Sequence, residues 1–248
     1  MDTQHILILA ALFFTMSVLY SSVGHGGASG YLAMMGLLGV STLIMKPTAL
    51  VMNLFVAGIA TIQFARAGHF RWNRFWPFAV VSIPFAYVGG AITVPATLYK
   101  QVVGAVLVFA AYRLYAHART PGAEPSARAL PIAVALGSGS VIGLLSGLVG
   151  VGGGIFLSPL VLLARWADAR TTAGISAAFI LVNSAAGLLG HLNSVRQVPG
   201  AIAVWVPVVV AGGLLGSTIG SRRLPNPTLR RLLALVILVA AVKMLLVM

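Results

Sequence analysis

The chain holds 248 residues, 59% of them hydrophobic and 8% charged, with a formal net charge of +13. Apolar content on that scale makes lipid the main solvent and excludes a water-soluble globule. There is no cysteine, which removes disulfides, thiolate metal sites and a lipid-modified cysteine from consideration.

The first apolar run, 5–22, follows MDTQ, which carries Asp2 and neither Lys nor Arg. Without a basic leading region it reads as a retained helix rather than a signal peptide. Further runs follow at 27–40, 48–65, 75–94, 99–116, 131–148, 152–164, 173–190, 201–220 and 229–247. Most approach the roughly 20 residues a helix needs to cross about 30 Å of hydrocarbon. Two are short, 27–40 and 152–164, and each follows a glycine cluster. Backbone that leaves the helix at membrane depth is tolerated only where protein or a water-filled cavity satisfies it. The glycines therefore mark a candidate cavity, and whether the short segments cross fully or re-enter is left open.

The clusters belong to an internal repeat, which has to be recognised before local motifs are interpreted. "SVGHGGASGYLA" (22–33) resembles "LVGVGGGIFLSP" (148–159), so Gly24, Gly26 and Gly27 fall on Gly150, Gly152 and Gly153. Trp76-Pro77 matches the neighbourhood of Val206-Pro207, Pro95 matches Pro225, and "FAAYRL" (109–114) matches "VAAVKM" (239–244). The register drifts from an offset of 126 to one of 130, which leaves Asn53 opposite either Ser176 or Asn183. The polar, proline-containing stretch 118–129 reads as a cytoplasmic linker between a first transmembrane repeat, 1–117, and a second, 130–248.

Charge tests the topology, because cytoplasmic loops collect Lys and Arg. If all ten segments cross, or if each glycine-broken pair enters and returns on one side, twelve of the sixteen cations share a face. Lys46, Lys100, Arg196 and Lys243 alone lie opposite. One net crossing per broken pair would divide the sixteen evenly, so the first arrangement is preferred. It gives each half an odd number of crossings and inverts the second relative to the first, with both termini outside. The expected fold class is thus an all-α polytopic membrane protein of two inverted repeats, each with three long helices plus a glycine-broken helical pair. The same asymmetry explains the positive charge without nucleic acid as a partner.

Glycine permits positive φ and lets a ligand approach main-chain N–H groups. A short helix begins after each cluster, and its first-turn N–H groups carry the positive end of the helix dipole, which favours an anion. The acidic residues are Asp2, Glu124 and Asp168, all in termini or loops, so no carboxylate is available to offset a dehydrated cation or relay protons. The expected partners are a small anionic substrate and the lipid bilayer, with assembly into a homo-oligomer left open. No metal and no cofactor is expected.

Candidate binding residues are Gly24, Gly26, Gly27, Gly150, Gly152, Gly153 and Gly154, with His25 inside the first break. His25 is suited to donate to an oxyanion or to change charge near neutral pH, or else is a satisfied structural histidine. Ser21, Ser22 and Ser29 are hydroxyl donors unless they bond their own helix backbone. Asn53, Ser176 and Asn183 interrupt apolar helices, facing the substrate or joining helices. Lys46 and Arg196 lie on the sparse face, where an entering anion would meet them unless they are ordinary solvated loop cations. Gly212, Gly216 and Gly220 recur at a spacing that puts them on one helix face, which points to close helix packing.

These residues resemble the sulfite exporter TauE/SafE family, also called the TSUP permeases. "GLLSGLVGVGGGIFLSPLVLL" (143–163) looks like its glycine-rich signature, "AGISAAFILVNSAAG" (173–187) resembles the helix that follows, and "SVGHGGASGYLA" is similar to the first-half version. The first motif departs from the second at His25, Ala28 and Ala33, which stand where Val151, Gly154 and Pro159 stand in the other half. The resemblance implies a bacterial-type inner-membrane permease, not an enzyme, for sulfite, thiosulfate, sulfoacetate or related sulfonates, working by alternating access between the two breaks. Two rivals are weighed beside it: a non-transport membrane scaffold, and an intramembrane serine hydrolase built on the GxSG string at Ser29 with His191 as base.

Overall fold

The computed structural model describes residues 2–117, 128–191 and 198–222, together with the helical positions 238, 242 and 245. Among them the chain forms α1 (Thr3–Ser21), α2 (Ala28–Leu37), α3 (Thr42–Arg66), α4 (Trp72–Ala91) and α5 (Ala96–His117). After the linker come α6 (Ile132–Val149), α7 (Gly154–Leu163), α8 (Ala169–Gly190) and α9 (Ile202–Arg222), and the described residues contain no strand. Most of the expected tenth segment, 229–247, and most of the linker lie outside the described residues.

Five helices, α1, α3, α6, α8 and α9, are long and apolar enough to cross a membrane, and the chain is an integral membrane protein. At 1.5 Å per residue, the ten residues of α2 and of α7 reach about 15 Å, half of a bilayer core. The helices carry local start signals where the sequence has them. Asp2 caps α1 by accepting from the His5 N–H at 2.8 Å, and Asp168 caps α8 by accepting from the Arg170 and Thr171 N–H groups at 2.9 Å each.

The helix pairings come in matched sets. α1 packs along α9 as α4 packs along α6, α3 meets α9 as α8 meets α4, and α2 lies on α3 as α7 lies on α8. The partners α3 and α8 meet each other at the centre. Exchanging α1, α2, α3 and α4 with α6, α7, α8 and α9 maps each of the first six contacts onto its match and the α3–α8 contact onto itself.

Inside lipid, helices gain little from hydrophobic attraction to one another, so small residues that let backbones approach take over. Gly212, Gly216 and Gly220 bring α9 against Phe14, Val18 and Ser22 of α1, and a Cβ on any of them would overlap a carbonyl oxygen there. The packing role expected for this triplet is what the fold uses it for. A second triplet, Gly139, Gly143 and Gly147, does the same for α6 against Phe78, Ser82 and Ala86 of α4. Elsewhere the interior is apolar, with Phe13 edge-on to Tyr31 and Trp205 at ring separations of 5.3 and 5.2 Å. Outward-facing apolar groups such as Leu43 and Val141 are 66% and 60% exposed, as a lipid-facing surface requires.

Candidate functional site

Each break opens and closes on a glycine of positive φ. Gly24 (+75°) follows α1 and Gly150 (+84°) follows α6, while Gly27 (+97°) and Gly153 (+80°) are the N-cap residues of α2 and α7. Side chains of L-residues rarely tolerate that conformation, which is why both motifs place glycine at these points. Neither N-cap has a side chain to offer, so the first N–H groups of both short helices must find partners elsewhere.

Asn53 of α3 supplies one. Fully buried, it accepts from the Ala28 N–H through Oδ1 at 3.1 Å, and its Nδ2 donates to Val151 O at 3.4 Å and to Ser184 Oγ at 3.3 Å. Those partners fix the amide orientation, since only the oxygen can accept from an N–H and only the nitrogen can donate to a carbonyl. One side chain therefore ties the first break to the second. Gly26 and Gly152 approach it from the two halves, and a Cβ on either would run into both Asn53 and Ile180. Counted from the starts of α3 and α8, Ile180 is the counterpart of Asn53. Asn53 and Ile180 make the junction polar on one side and apolar on the other, while Ser176 pairs with Ser158 and Asn183 with its own helix backbone.

A second polar chain lies beside it. His25, half-buried, is held through Nδ1 by Val23 O at 3.1 Å and faces Ser158 Oγ of α7 through Nε2 at 3.2 Å. Ser158 in turn meets Ser176 of α8 at 2.7 Å. A Cβ built on Gly154, the first residue of α7, would lie 3.6 Å from His25 Cδ2, so the imidazole stands at the N-terminal end of that helix.

The remaining candidates are placed as follows. Ser21 and Ser22 donate to Val18 O and Leu19 O one turn back and lie against Gly216 and Gly220 of α9. Asn183 donates to Phe179 O, while its buried Oδ1 has no partner. Gly24 presses on the Ala173 backbone of α8, and Gly150 on Lys46. Ser29 donates to the Tyr20 hydroxyl at 3.0 Å and His191 faces Gly90 O at 3.1 Å, so the hydrolase pair is not made.

Lys46 differs most from a solvated loop cation. It is 5% exposed, and its ammonium donates to Gly90 O at 3.1 Å and more weakly to Gly89 O at 3.5 Å, at the carbonyl end of α4. A helix C-terminus carries partial negative charge, which gives a buried cation a partner where no carboxylate exists. Arg196 lies outside the described residues.

Sequence reasoning missed Ser158 and Ser184. Ser184 was legible as part of the face Ser176, Ile180, Ser184, two steps of four residues along α8. Ser158 had only its place beside Pro159 to mark it. Asp2 and Asp168 are helix caps away from the two breaks, and Glu124 lies outside the described residues. Burial raises the Asp168 carboxyl, but hydrogen bonds from the Thr171 hydroxyl and from the Thr171 and Arg170 N–H groups outweigh it and hold the pKa below the ordinary carboxylate value. A surface pocket of about 300 Å³, lined by Arg71, Arg74, Trp166 and Asp168 among others, opens near this cap and does not include the glycine breaks. The described residues hold no group of three metal-ligating side chains.

The chain matches the family model described as Sulfite exporter TauE/SafE over residues 8–244. It is similar to a probable membrane transporter protein of Sinorhizobium fredii, 40% identical over 247 residues that cover 99% of this chain and 100% of that one. It is also similar to a probable membrane transporter protein of Methanocaldococcus jannaschii, 27% identical over 150 residues, 57% of this chain and 55% of the other. No solved structure matches it significantly.

Proposed function

Because the chain belongs to the sulfite exporter TauE/SafE family and is a membrane transporter rather than an enzyme, we propose that it is a secondary permease for a small anion, a sulfur-containing oxyanion or an organosulfonate. The observation that carries this reading is the junction at Asn53, where both glycine breaks and the starts of both short helices come together. Main-chain N–H groups at two helix starts, glycines without side-chain bulk, and the hydroxyl of Ser184 are groups an oxyanion needs. Among the described residues no Asp or Glu stands beside them, which disfavours a cation as cargo.

The same junction supports alternating access. Residues 1–117 and 130–248 act as inverted repeats that rock about the α3 and α8 contact, exposing the breaks first to one side and then to the other. The chain sits in a bacterial-type cytoplasmic membrane with its termini outside. The exchange pattern of helix contacts supports two equivalent halves, and the cation asymmetry supports the orientation.

The test is thermal stabilisation of the purified protein by sulfite, thiosulfate, sulfoacetate, sulfate and acetate, beside a Gly152→Leu variant checked for folding. Selective stabilisation by a sulfur oxyanion or sulfonate, lost in the folded variant, is the expected result. Equal response to acetate would remove the sulfur specificity. No response to any of them, together with no flux into vesicles, would remove the anion and favour the scaffold.

A further inference from the structure

We infer that His25, Ser158 and Ser176 form a proton-binding site coupled to the anion site, so that one proton is carried with each anion; this rests on the anion reading above. Hydrogen-bond donors along the chain distinguish its two protonation states. The Val23 carbonyl can only accept, so Nδ1 carries a hydrogen, and in the neutral ring Nε2 is an acceptor. Ser158 then gives its O–H to Nε2, and Ser176 gives its O–H to Ser158 Oγ. Both hydroxyl hydrogens are spent inside the chain.

A proton from solution bonds to the Nε2 lone pair and reverses the sequence. Nε2–H donates to Ser158 Oγ, Ser158 O–H donates to Ser176 Oγ, and the Ser176 O–H is released. Protonation thus adds a positive charge and one free hydroxyl donor in a single step, both complementary to an oxyanion. The place of the ring supplies the reverse half of the linkage. His25 stands beside Gly154 at the first turn of α7, so an anion held at that end and a proton on the imidazole attract one another. Proton and anion then each favour the other, and reciprocity follows from thermodynamics.

Among the described residues, the elements around the ring bring no carboxylate to it. Tyr20 of α1 packs edge-on to it at 6.3 Å and shares its hydroxyl with Ser29. Tyr31 of α2 donates to Gly26 O, and Lys46 of α3 is committed to the end of α4. Arg66 ends α3, Arg165 follows α7, and Asp168 and Arg170 begin α8. The chain also crosses between the halves, His25 belonging to the first break and Ser158 and Ser176 to the second half, so a rocking motion acts on it directly.

Thiosulfate and sulfoacetate, which stay ionised between about pH 5 and 8 where imidazole titrates, are the probes, and their dissociation constants are measured across that range by calorimetry on the purified protein. Binding to the wild type is expected to draw protons from a weak buffer, with the dissociation constant rising toward about tenfold per pH unit, the slope of one linked proton. His25→Gln is expected to flatten that slope. Ser158→Ala keeps the imidazole and removes the relay, so it is expected to lose about tenfold in affinity at the acid end and little at the alkaline end; this arm decides the matter if His25→Gln does not fold. A wild-type affinity that ignores pH, a His25→Gln slope like the wild type, or an equal Ser158→Ala loss at both ends would overturn the coupling and leave the permease standing. If the folded wild type binds neither probe at any pH, the anion reading fails and takes the coupling with it.

Discussion

Replacing Gly24 by alanine isolates what the first break demands of its backbone. Two effects add. The residue sits at φ +75°, where an L side chain costs about 1–2 kcal/mol. Its new Cβ would also overlap the carbonyl group and Cα of Ala173, which are backbone atoms of α8 and cannot rotate away. Overpacking of that kind costs typically about 1–3 kcal/mol, so the expected loss is about 2–5 kcal/mol. Two other glycines separate the terms. Gly39 has φ +70° with nothing within 4 Å of a Cβ, so Gly39→Ala reports the conformational cost alone. Gly137 lies inside α6 with nothing within 4 Å and no positive φ, so Gly137→Ala is expected to gain about 0.5–1 kcal/mol from helix propensity. The assay is equilibrium unfolding in detergent, followed through the fluorescence of the four tryptophans. A Gly24→Ala loss no larger than that of Gly39→Ala would refute the close approach of the break to α8.

Asn53→Ala leaves the Ala28 N–H and Val151 carbonyl buried without this partner, at about 1–3 kcal/mol each; the loss should appear in unfolding, together with faster hydrogen exchange at the Ala28 amide. Gly216→Leu on α9 and Gly143→Leu on α6 should each destabilise by more than about 1–3 kcal/mol, because the nearest obstacles are carbonyl oxygens of the facing helix. A change smaller than about 0.5 kcal/mol would argue against backbone-close packing. Asp168→Ala should cost about 0.5–2 kcal/mol at neutral pH through the lost cap. Its carboxyl is held below the ordinary value, so that contribution is full above about pH 3.9 and is lost as pH falls through the lower folded value. Stability curves of wild type and variant should therefore converge at the acid end.

The sequence by itself determined the solvent, the elements and the places where they break. Apolar runs of bilayer length announce α1, α3, α6, α8 and α9, and glycine clusters announce the breaks, because both signals are local: hydropathy acts over one helix and positive φ on one residue. The small-residue face at Gly212, Gly216 and Gly220 was readable for the same reason, since helical spacing alone puts the three on one side. Only the tertiary structure decided what meets across the halves. It set Asn53 against Ile180 and drew Ser158 to His25, 133 residues away. It also buried Lys46 at the end of α4 and turned Ser21 and Ser22 toward α9. Such meetings depend on the rotation and depth of one packed helix against another. That register is set by the summed fit of many glycines and side chains, and no single stretch of the chain records it.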